Sequence, residues 1–185
     1  MDPIRRFARL FRLRMAAKRR APLNVNDVSI VHDRVWLTDI DELRHMNNGV
    51  YLSLLDHARL DLMLRSGYWP KLRAAKVYPI VTAQSITYRR SLQLGQRFQI
   101  ESRILGYDER AVYLEQRVVA KGEIHARAFV QGLFLRNAGG VVPIQEVGDI
   151  VGVVTADLPA PAWLSEWAAQ VRLPSTRQPA PSDWS

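Results

Sequence analysis

Two hydrophobic periodicities divide the chain. Between residues 48 and 64, Val50, Leu52, Leu54, Leu55, Ala58, Leu60, Leu62, Met63 and Leu64 cover most of the circumference of a helix. Such a helix expects burial on nearly all sides. Gly67 suits its C-terminal stop, with Pro70 just beyond. From Tyr78 onward the pattern changes. Residues 79–88, 96–107, 110–120 and 124–135 are rich in Val, Ile, Tyr, Phe and Thr with partial alternation, and turn-prone pieces such as Leu94-Gly95 and Lys121-Gly122 separate them. A further strand is expected over residues 28–37. Strand, helix, then four long antiparallel strands joined by short turns predict an α+β domain, a curved sheet of about five long strands wrapped around one central helix.

Helical spacing returns at both ends. Ile4, Phe7, Ala8, Phe11 and Met15 share one face of a helix, while Arg5, Arg6, Arg9 and Arg12 cluster opposite and Leu13 breaks that polar face. A basic amphipathic helix of this kind suits an anionic membrane surface; it also fits a solvated arm, a helix packed on its own domain, or a mitochondrial targeting segment. Residues 22–26 read as a linker. Beyond Gly148, five prolines punctuate a tail in which only residues 162–171 suit a short helix, with Trp163 and Trp167 on one face docking on the domain. From about Ser175 no fixed structure is expected. The chain therefore divides into a basic amphipathic arm (1–24), a central domain (25–147) and a Pro-rich extension (148–185).

Charge sharpens this division. The net charge of +8 belongs mostly to Arg5, Arg6, Arg9, Arg12, Arg14, Lys18, Arg19 and Arg20, so a near-neutral domain carries a basic arm. The arm lacks an accompanying aromatic strand platform or helical reader, which argues against nucleic acid. Absence of cysteine excludes disulfides, a Cys nucleophile and thiolate metal sites, and fits a reducing compartment. No apolar run approaches the roughly 18–20 residues needed to cross a bilayer, and nothing reads as a signal peptide. The expected location is cytoplasmic, or peripheral at a membrane through residues 1–20.

Candidate chemistry concentrates in residues 38–59, TDIDELRHMNNGVYLSLLDHAR. Asn47 or Asn48 suits the N-cap of the core helix, whose first-turn amides lie at the positive end of the helix dipole. Those amides suit an oxygen on which negative charge develops. Asp41, just upstream, brings a carboxylate to the same place as nucleophile or general base, which is the outline of an acyl-transfer site. A D-x-D loop ending in Asn-Asn is also an ordinary way to cap a helix.

The sequence Asp39, Asp41, His45, Met46, Asn47, Asn48, Tyr51, spaced D-x-D-x-x-x-H-M-N-N-x-x-Y, resembles the hotdog-fold thioesterases. It looks closest to the thioesterase-like branch related to 4-hydroxybenzoyl-CoA thioesterase, and it is similar to the plant acyl-carrier-protein thioesterases. Residues 85–92 (SITYRRSL) and 104–114 (ILGYDERAVYL) also resemble the thioesterase-like branch, so the likeness runs over residues 25–145. The resemblance implies a hotdog fold and hydrolysis of acyl-CoA or acyl-ACP thioesters, without metal or redox cofactor. It implies Asp41 as catalytic carboxylate, with His45 matching the plant-type histidine. It further implies a homodimer, or a dimer of dimers, with active sites at the subunit interface. Leu43 stands where the plant-type family carries a functional Asn.

On this reading His45 and Asn47 position the water or the loop, and the amides of Asn48 and Gly49 receive the oxyanion. Tyr51 is a candidate for substrate contact or core packing. Arg89 and Arg90 are candidates for the phosphates of coenzyme A, although adjacent residues on a strand point to opposite faces. Asp56 and Arg59, three apart on the core helix, are an ion pair or a second catalytic carboxylate. The histidines show no metal-ligand spacing, no G-x-S-x-G elbow supports a serine hydrolase, and no Gly-rich phosphate loop appears. Two rivals remain: a non-catalytic hotdog protein that binds acyl chains or acyl-CoA at a membrane surface, and an acyl-CoA hydratase, whose D-x-N-x-x-H pattern this loop lacks.

Overall fold

The computed structural model describes residues 3–175 and 177–182, with side chains from Phe7 onward. In chain order it comprises α1 (Pro3–Ala17), β1 (Ser29–Arg34), a 3-10 turn (Leu37–Asp39), α2 (Asn48–Arg65), α3 (Tyr68–Ala74), β2 (Val77–Tyr88), β3 (Arg97–Tyr107), β4 (Val112–Ala120), β5 (Glu123–Arg136), α4 (Ile144–Val151) and α5 (Ala162–Gln170). All five strands are antiparallel in one sheet of order β1-β3-β4-β5-β2. This is the α+β hotdog arrangement, a sheet curled around α2. Ile4, Arg5 and Arg6 have no described side chains, and of the tail beyond Ser175, Thr176 and residues 183–185 lie outside the described residues.

Two expectations need correction here. The four long strands do not follow one another as neighbours: β2 pairs with β5, from Val77↔Arg136 to Tyr88↔Ala126, so the chain crosses the sheet between β2 and β3. Local sequence carries turn chemistry but not this long-range pairing. The first strand is also shorter than residues 28–37, because Val35 and Trp36 leave the ladder for the 3-10 turn.

Central β4 is buried along nearly its whole length, as a strand with neighbours on both edges and layers on both faces must be. On the concave face Val50, Tyr51, Leu54, Leu55 and Ala58 of α2 meet Phe98, Ile100 and Val118. Farther along, Leu62 packs with Leu72 of α3, Val147 and Val151 of α4, and Val112, Leu114 and Val130 of the sheet. Gln116 ties helix to sheet, donating to Leu55 O at 2.9 Å and to Ser102 Oγ at 2.8 Å. On the opposite face α5 covers Tyr113 through Leu164 and Ala168.

Gly67, in the left-handed region at φ 73°, ends α2 as expected, but α3 starts immediately after it. Pro70 lies in the first turn of α3, where a missing N–H is tolerated. Helix α4 also went unpredicted, and the expected domain boundary at residue 147 falls inside it. Its Gly148 is there for close approach: a Cβ would stand 2.5 Å from Val153 O and 2.9 Å from Thr155 Cγ2. In α5 the innermost residues are Leu164 and Ala168 rather than both tryptophans; Trp167 is half-buried, and Trp163 lies exposed edge-on to Phe129.

The arm takes one of the readings open to it, a helix packed on its own domain, but through the face expected to be polar. Arg9, assigned to that polar face, is buried between Asp33 and Asp39, and Leu13 and Ala17, one and two turns on, are buried with it. Arg20 reaches Asp61, itself 1 % exposed, and donates to Ile30 O. The arm packs on its own domain through Arg9, Leu13, Ala17 and Arg20.

Candidate active site

The loop between β1 and α2 is sewn into the fold at both ends. Ile40 and Met46 form an antiparallel bridge, His45 bridges Gln93, and Met46 N–H donates to Leu92 O at 2.9 Å. Within this frame Asp41 N–H donates to His45 O at 3.0 Å and Arg44 N–H to Asp41 O at 3.0 Å, with Arg44 at φ 63° making the tight reversal. Residues 41–45 are therefore a closed turn that projects from the surface, and Leu43 at its tip is exposed.

The two carboxylates of the D-x-D motif have opposite fates. Asp39 is fully buried. Its side chain accepts from Arg9 Nη1 at 3.0 Å and Nη2 at 2.6 Å and from Trp36 N–H at 3.0 Å, and its carbonyl accepts from Asn47 N–H at 2.9 Å. Such a carboxylate has no lone pair aimed at solvent; it ties α1, the 3-10 turn and the start of α2 together. Asp41 remains reachable, with 22 % of its side chain exposed. Its Oδ1 accepts from Leu43 N–H at 2.9 Å and stands 3.6 Å from His45 Nδ1, beyond hydrogen-bond distance but within ion-pair range. The structure brings Asp41 and His45 together.

At the mouth of α2 the amides divide too. Asn47 is the N-cap, and its Oδ1 accepts from Gly49 N–H at 2.8 Å. The cap removes both Gly49 and the Asn47 side chain from the roles expected of them: the Gly49 amide is spent on the helix, and Asn47 holds the helix rather than a water. Val50 N–H bonds Asn47 O. Among the described residues Asn48 N–H has no protein acceptor, and Asn48 is exposed at the positive end of an 18-residue helix. Of the two amides expected to face an oxyanion, Asn48 and Gly49, the helix cap thus leaves only that of Asn48 without an acceptor among the described residues.

Tyr51 is 2 % exposed, and its hydroxyl accepts from Leu92 N–H at 3.2 Å. Burial pushes its phenol pKa up. It is a core residue that holds residues 89–93 against α2, and the substrate contact proposed for it is withdrawn. Its ring meets Tyr88 edge-on at 5.2 Å, and the Tyr88 hydroxyl donates to Asn48 O at 3.4 Å.

Arg89 and Arg90 also differ from expectation. The strand stops at Tyr88, so strand alternation no longer applies, and both guanidinium groups converge on Glu123, at 2.9 Å and 3.5 Å. They remain more than half exposed, and Arg90 borders an open cleft with Gln93, Arg97, Lys121 and His125. Through the Gln93–His45 bridge this basic cleft adjoins the Asp41 turn.

On the far half of α2, Arg59 donates to Gln116 Oε1 at 2.7 Å and pairs with Asp56 at 3.2 Å. Burial pulls the Arg59 pKa down, and Asp56 works against that. Asp56 is the exposed partner of this ion pair. Beside them opens a mainly apolar cavity of about 310 Å³, walled by Leu60 and Met63 of α2, Trp69 of α3, Ile80 of β2 and Val147 of α4. No local motif marks this cavity, because its wall is drawn from seven elements, α2 to α4 and β2 to β5. Among the described residues no three His, Asp or Glu side chains gather as a metal site requires.

A model of the thioesterase-like superfamily matches residues 35–168. The chain is 46 % identical over 94 residues to Protein THEM6 of Danio rerio, covering 51 % of this chain and 46 % of that protein. It is 30 % identical over 105 residues to Protein THEM6 of Drosophila melanogaster, covering 56 % and 54 %. It spans about half the length of these relatives. Among solved structures, the YbaW probable thioesterase of Escherichia coli superposes with TM-score 0.63 at 21 % identity, covering 66 % of this chain and 96 % of that one. BH1999 gentisyl-coenzyme A thioesterase gives 0.59 at 17 %, covering 65 % and 98 %. At these identities the structural likeness carries the fold.

The division of labour in the D-x-D motif is measurable by unfolding. Asp39→Ala strands a buried guanidinium beside Asp33 alone and is expected to cost on the order of 3 kcal/mol in urea titrations. Asp41→Asn removes a half-open carboxylate and is expected to stay within about 0.5 kcal/mol of wild type. Equal losses in the two variants would contradict the assignment.

Proposed function

The chain belongs to the thioesterase-like superfamily, and from that premise we propose that it hydrolyses acyl thioesters of coenzyme A, or of acyl carrier protein, at the Asp41 turn. What supports the proposal is a solvent-reachable carboxylate, Asp41, on the turn that leads into α2, together with the Asn48 N–H, which has no acceptor among the described residues, at the dipole-positive end of that helix. Asp41 takes a proton from water as the water oxygen adds to the thioester carbonyl. Negative charge collects on the carbonyl oxygen, which the Asn48 amide and the helix terminus stabilise. When the carbon–sulfur bond breaks, the thiolate takes that proton back from Asp41, and a carboxylic acid and a thiol leave. His45, 3.6 Å away, orients the Asp41 carboxylate.

The two ends of the substrate find chemically distinct surroundings. The cleft with Arg90, Arg97 and Lys121 beside His45 suits the phosphates of coenzyme A, or the acidic face of a carrier protein. For the acyl group, Asn48, Leu52, Asp56 and Leu60 recur every fourth residue on α2, and the first three are exposed. This row leads from the free amide toward the apolar cavity, whose walls at Leu60 and Met63 stand roughly 18–22 Å along the axis at 1.5 Å per residue. A volume of about 310 Å³ sits at the lower end of small-molecule pockets, which span about 300–1,000 Å³. We read it as the seat of an apolar acyl tail rather than a charged group.

The open row on α2 lies beside β2, the longer of the two edge strands, which leaves Tyr78, Val81 and Tyr88 exposed. An unpaired edge of twelve residues invites a second copy, and a homodimer built on it would roof the row. The resting protein is then expected to scatter light as a dimer, and Val81→Asp to shift it toward monomer. A monomeric wild type would remove the roof from the proposal.

The reaction is tested by following free-thiol release from short, medium, long and aromatic acyl-CoAs and from an acyl-ACP. Wild type is expected to turn over part of this panel, and Asp41→Asn to lose about 10²–10⁴-fold with its melting midpoint unchanged. Leu43, where the plant-type pattern has Asn, favours a second reading, an acyl-CoA binder without hydrolysis. Tight acyl-CoA binding with no thiol release by wild type would select it. Within an active panel, Met63→Trp is expected to narrow the cavity and move the preference to shorter chains; an unmoved preference would place the tail elsewhere.

A further inference from the structure

Helix α1 is fixed to the domain by one face only. Arg9, Leu13 and Ala17, spaced by four, are buried, with the Arg9 side chain 5 % exposed between Asp33 and Asp39. The row offset from them by two residues points the opposite way, since two residues turn a helix by about 200°. Phe7, Phe11 and Met15 form that outward row, 71 %, 59 % and 38 % exposed. Arg12, 62 % exposed although its guanidinium lies 3.7 Å from Asp33, and Arg14 flank it, and Lys18 and Arg19 follow just past the helix end, all exposed. No acidic residue occurs between Pro3 and Asn26. Single exposed apolar residues are ordinary, but a row of them on a rigid helix rimmed by cations is an interaction surface.

The chemistry of the rim selects the partner. A second copy related by two-fold symmetry would bring the same cations against themselves. Nucleic acid would reward the cations but not the outward phenyl rings. An anionic bilayer rewards both: aromatic and thioether side chains enter the boundary between headgroups and acyl chains, while arginine and lysine meet the phosphates. No helix among the described residues is long and apolar enough to cross a membrane, so the geometry is one of lying on the surface.

We propose that the outward face of α1 docks on an anionic lipid surface, with Phe7, Phe11 and Met15 inserted and Arg12, Arg14, Lys18 and Arg19 on the phosphates. The helix is already formed and clamped before it meets lipid, because Arg9 and Arg20 anchor it to Asp39 and Asp61. Docking therefore orients the whole domain rather than folding a tail. It holds whether or not the Asp41 turn hydrolyses thioesters.

The experiment is flotation of the full chain with vesicles of phosphatidylcholine alone and of phosphatidylcholine containing a third phosphatidylglycerol. Flotation with the anionic vesicles is expected, about tenfold stronger than with the neutral ones and weakened by salt. The double variant Phe7→Gln, Phe11→Gln keeps good helix formers at exposed positions, so it is expected to keep the wild-type melting midpoint and lose at least about tenfold in lipid binding. Arg12→Gln with Arg14→Gln is expected to flatten the salt dependence. Circular dichroism is expected to show no gain of helix on vesicles.

Three results would overturn the proposal. One is no flotation by wild type at low salt. Another is flotation unaffected by the phenylalanine changes, which would leave a nonspecific cationic attraction of the kind nucleic acid shares. The third is loss of a protein dimer, rather than of lipid binding, in the phenylalanine variant, which would assign the row to a second copy.

Discussion

A helix that is apolar on almost every side has to be enclosed, and most of this molecule is the enclosure of α2. The curled sheet takes the side carrying Tyr51, Leu55 and Ala58. Helices α3 and α4 close around its C-terminal half at Leu62. The side of His57 and Asp61 is covered by α1, which explains why a basic arm packs inward at all: Asp61 is buried, and Arg20 and Arg65 supply its counter-charges at 3.3 Å and 3.5 Å while Ser29 donates to it at 2.7 Å. Only Asn48, Gly49, Leu52 and Asp56 of α2 stay exposed to solvent. The enclosure thus leaves the dipole-positive end of the helix uncovered, and the site proposed there follows from incomplete burial.

The same need for compensated charge separates two aspartates two residues apart. Once the 3-10 turn directs Asp39 inward, its carboxylate must find donors, and Trp36 N–H and the Arg9 guanidinium provide them. A buried pair of this kind gains little net stability over an apolar one, but losing one partner is costly. Its consequence here is positional: the Asp39 carbonyl holds Asn47 N–H, Asn47 caps α2, and Asp41 lies on the short turn between them. A change at Arg9, thirty residues upstream, therefore bears on where Asp41 points.

Elements whose cause is local were readable in the sequence, and those whose cause is long-range were not. Strand alternation located β2 to β5 within a few residues, and the all-round apolar pattern located α2. The D-x-D-x-x-x-H motif brought Asp41 and His45 together as a tight turn does. Sheet order could not be read, because β2 meets β5 across thirty-odd intervening residues. Helices α3 and α4 are short, with Pro70 inside one and Gly148 inside the other, residues that read as breaks until tertiary packing gives them a use. The oxyanion assignment failed at Gly49 for a smaller reason: an Asn-Asn pair offers two possible caps, and the register of the helix decides which amide is spent.

The arm shows how one amphipathic pattern can hide two interfaces. The wheel separated Phe7, Phe11 and Met15 from Arg9 and Arg12, and the usual rule would bury the phenylalanines. The fold buries Arg9 instead, because Asp33 and Asp39 on the domain offer it charge that a phenyl ring could not compensate. Leu13, which looked like a flaw in a polar face, is the apolar half of that inner contact. The outward row is then left without a partner among the described residues, at a site tied through Asp39 to the turn that carries Asp41. A surface on which acyl thioesters or their products partition would meet the protein in one fixed orientation, set by the helix that its own buried carboxylates hold in place.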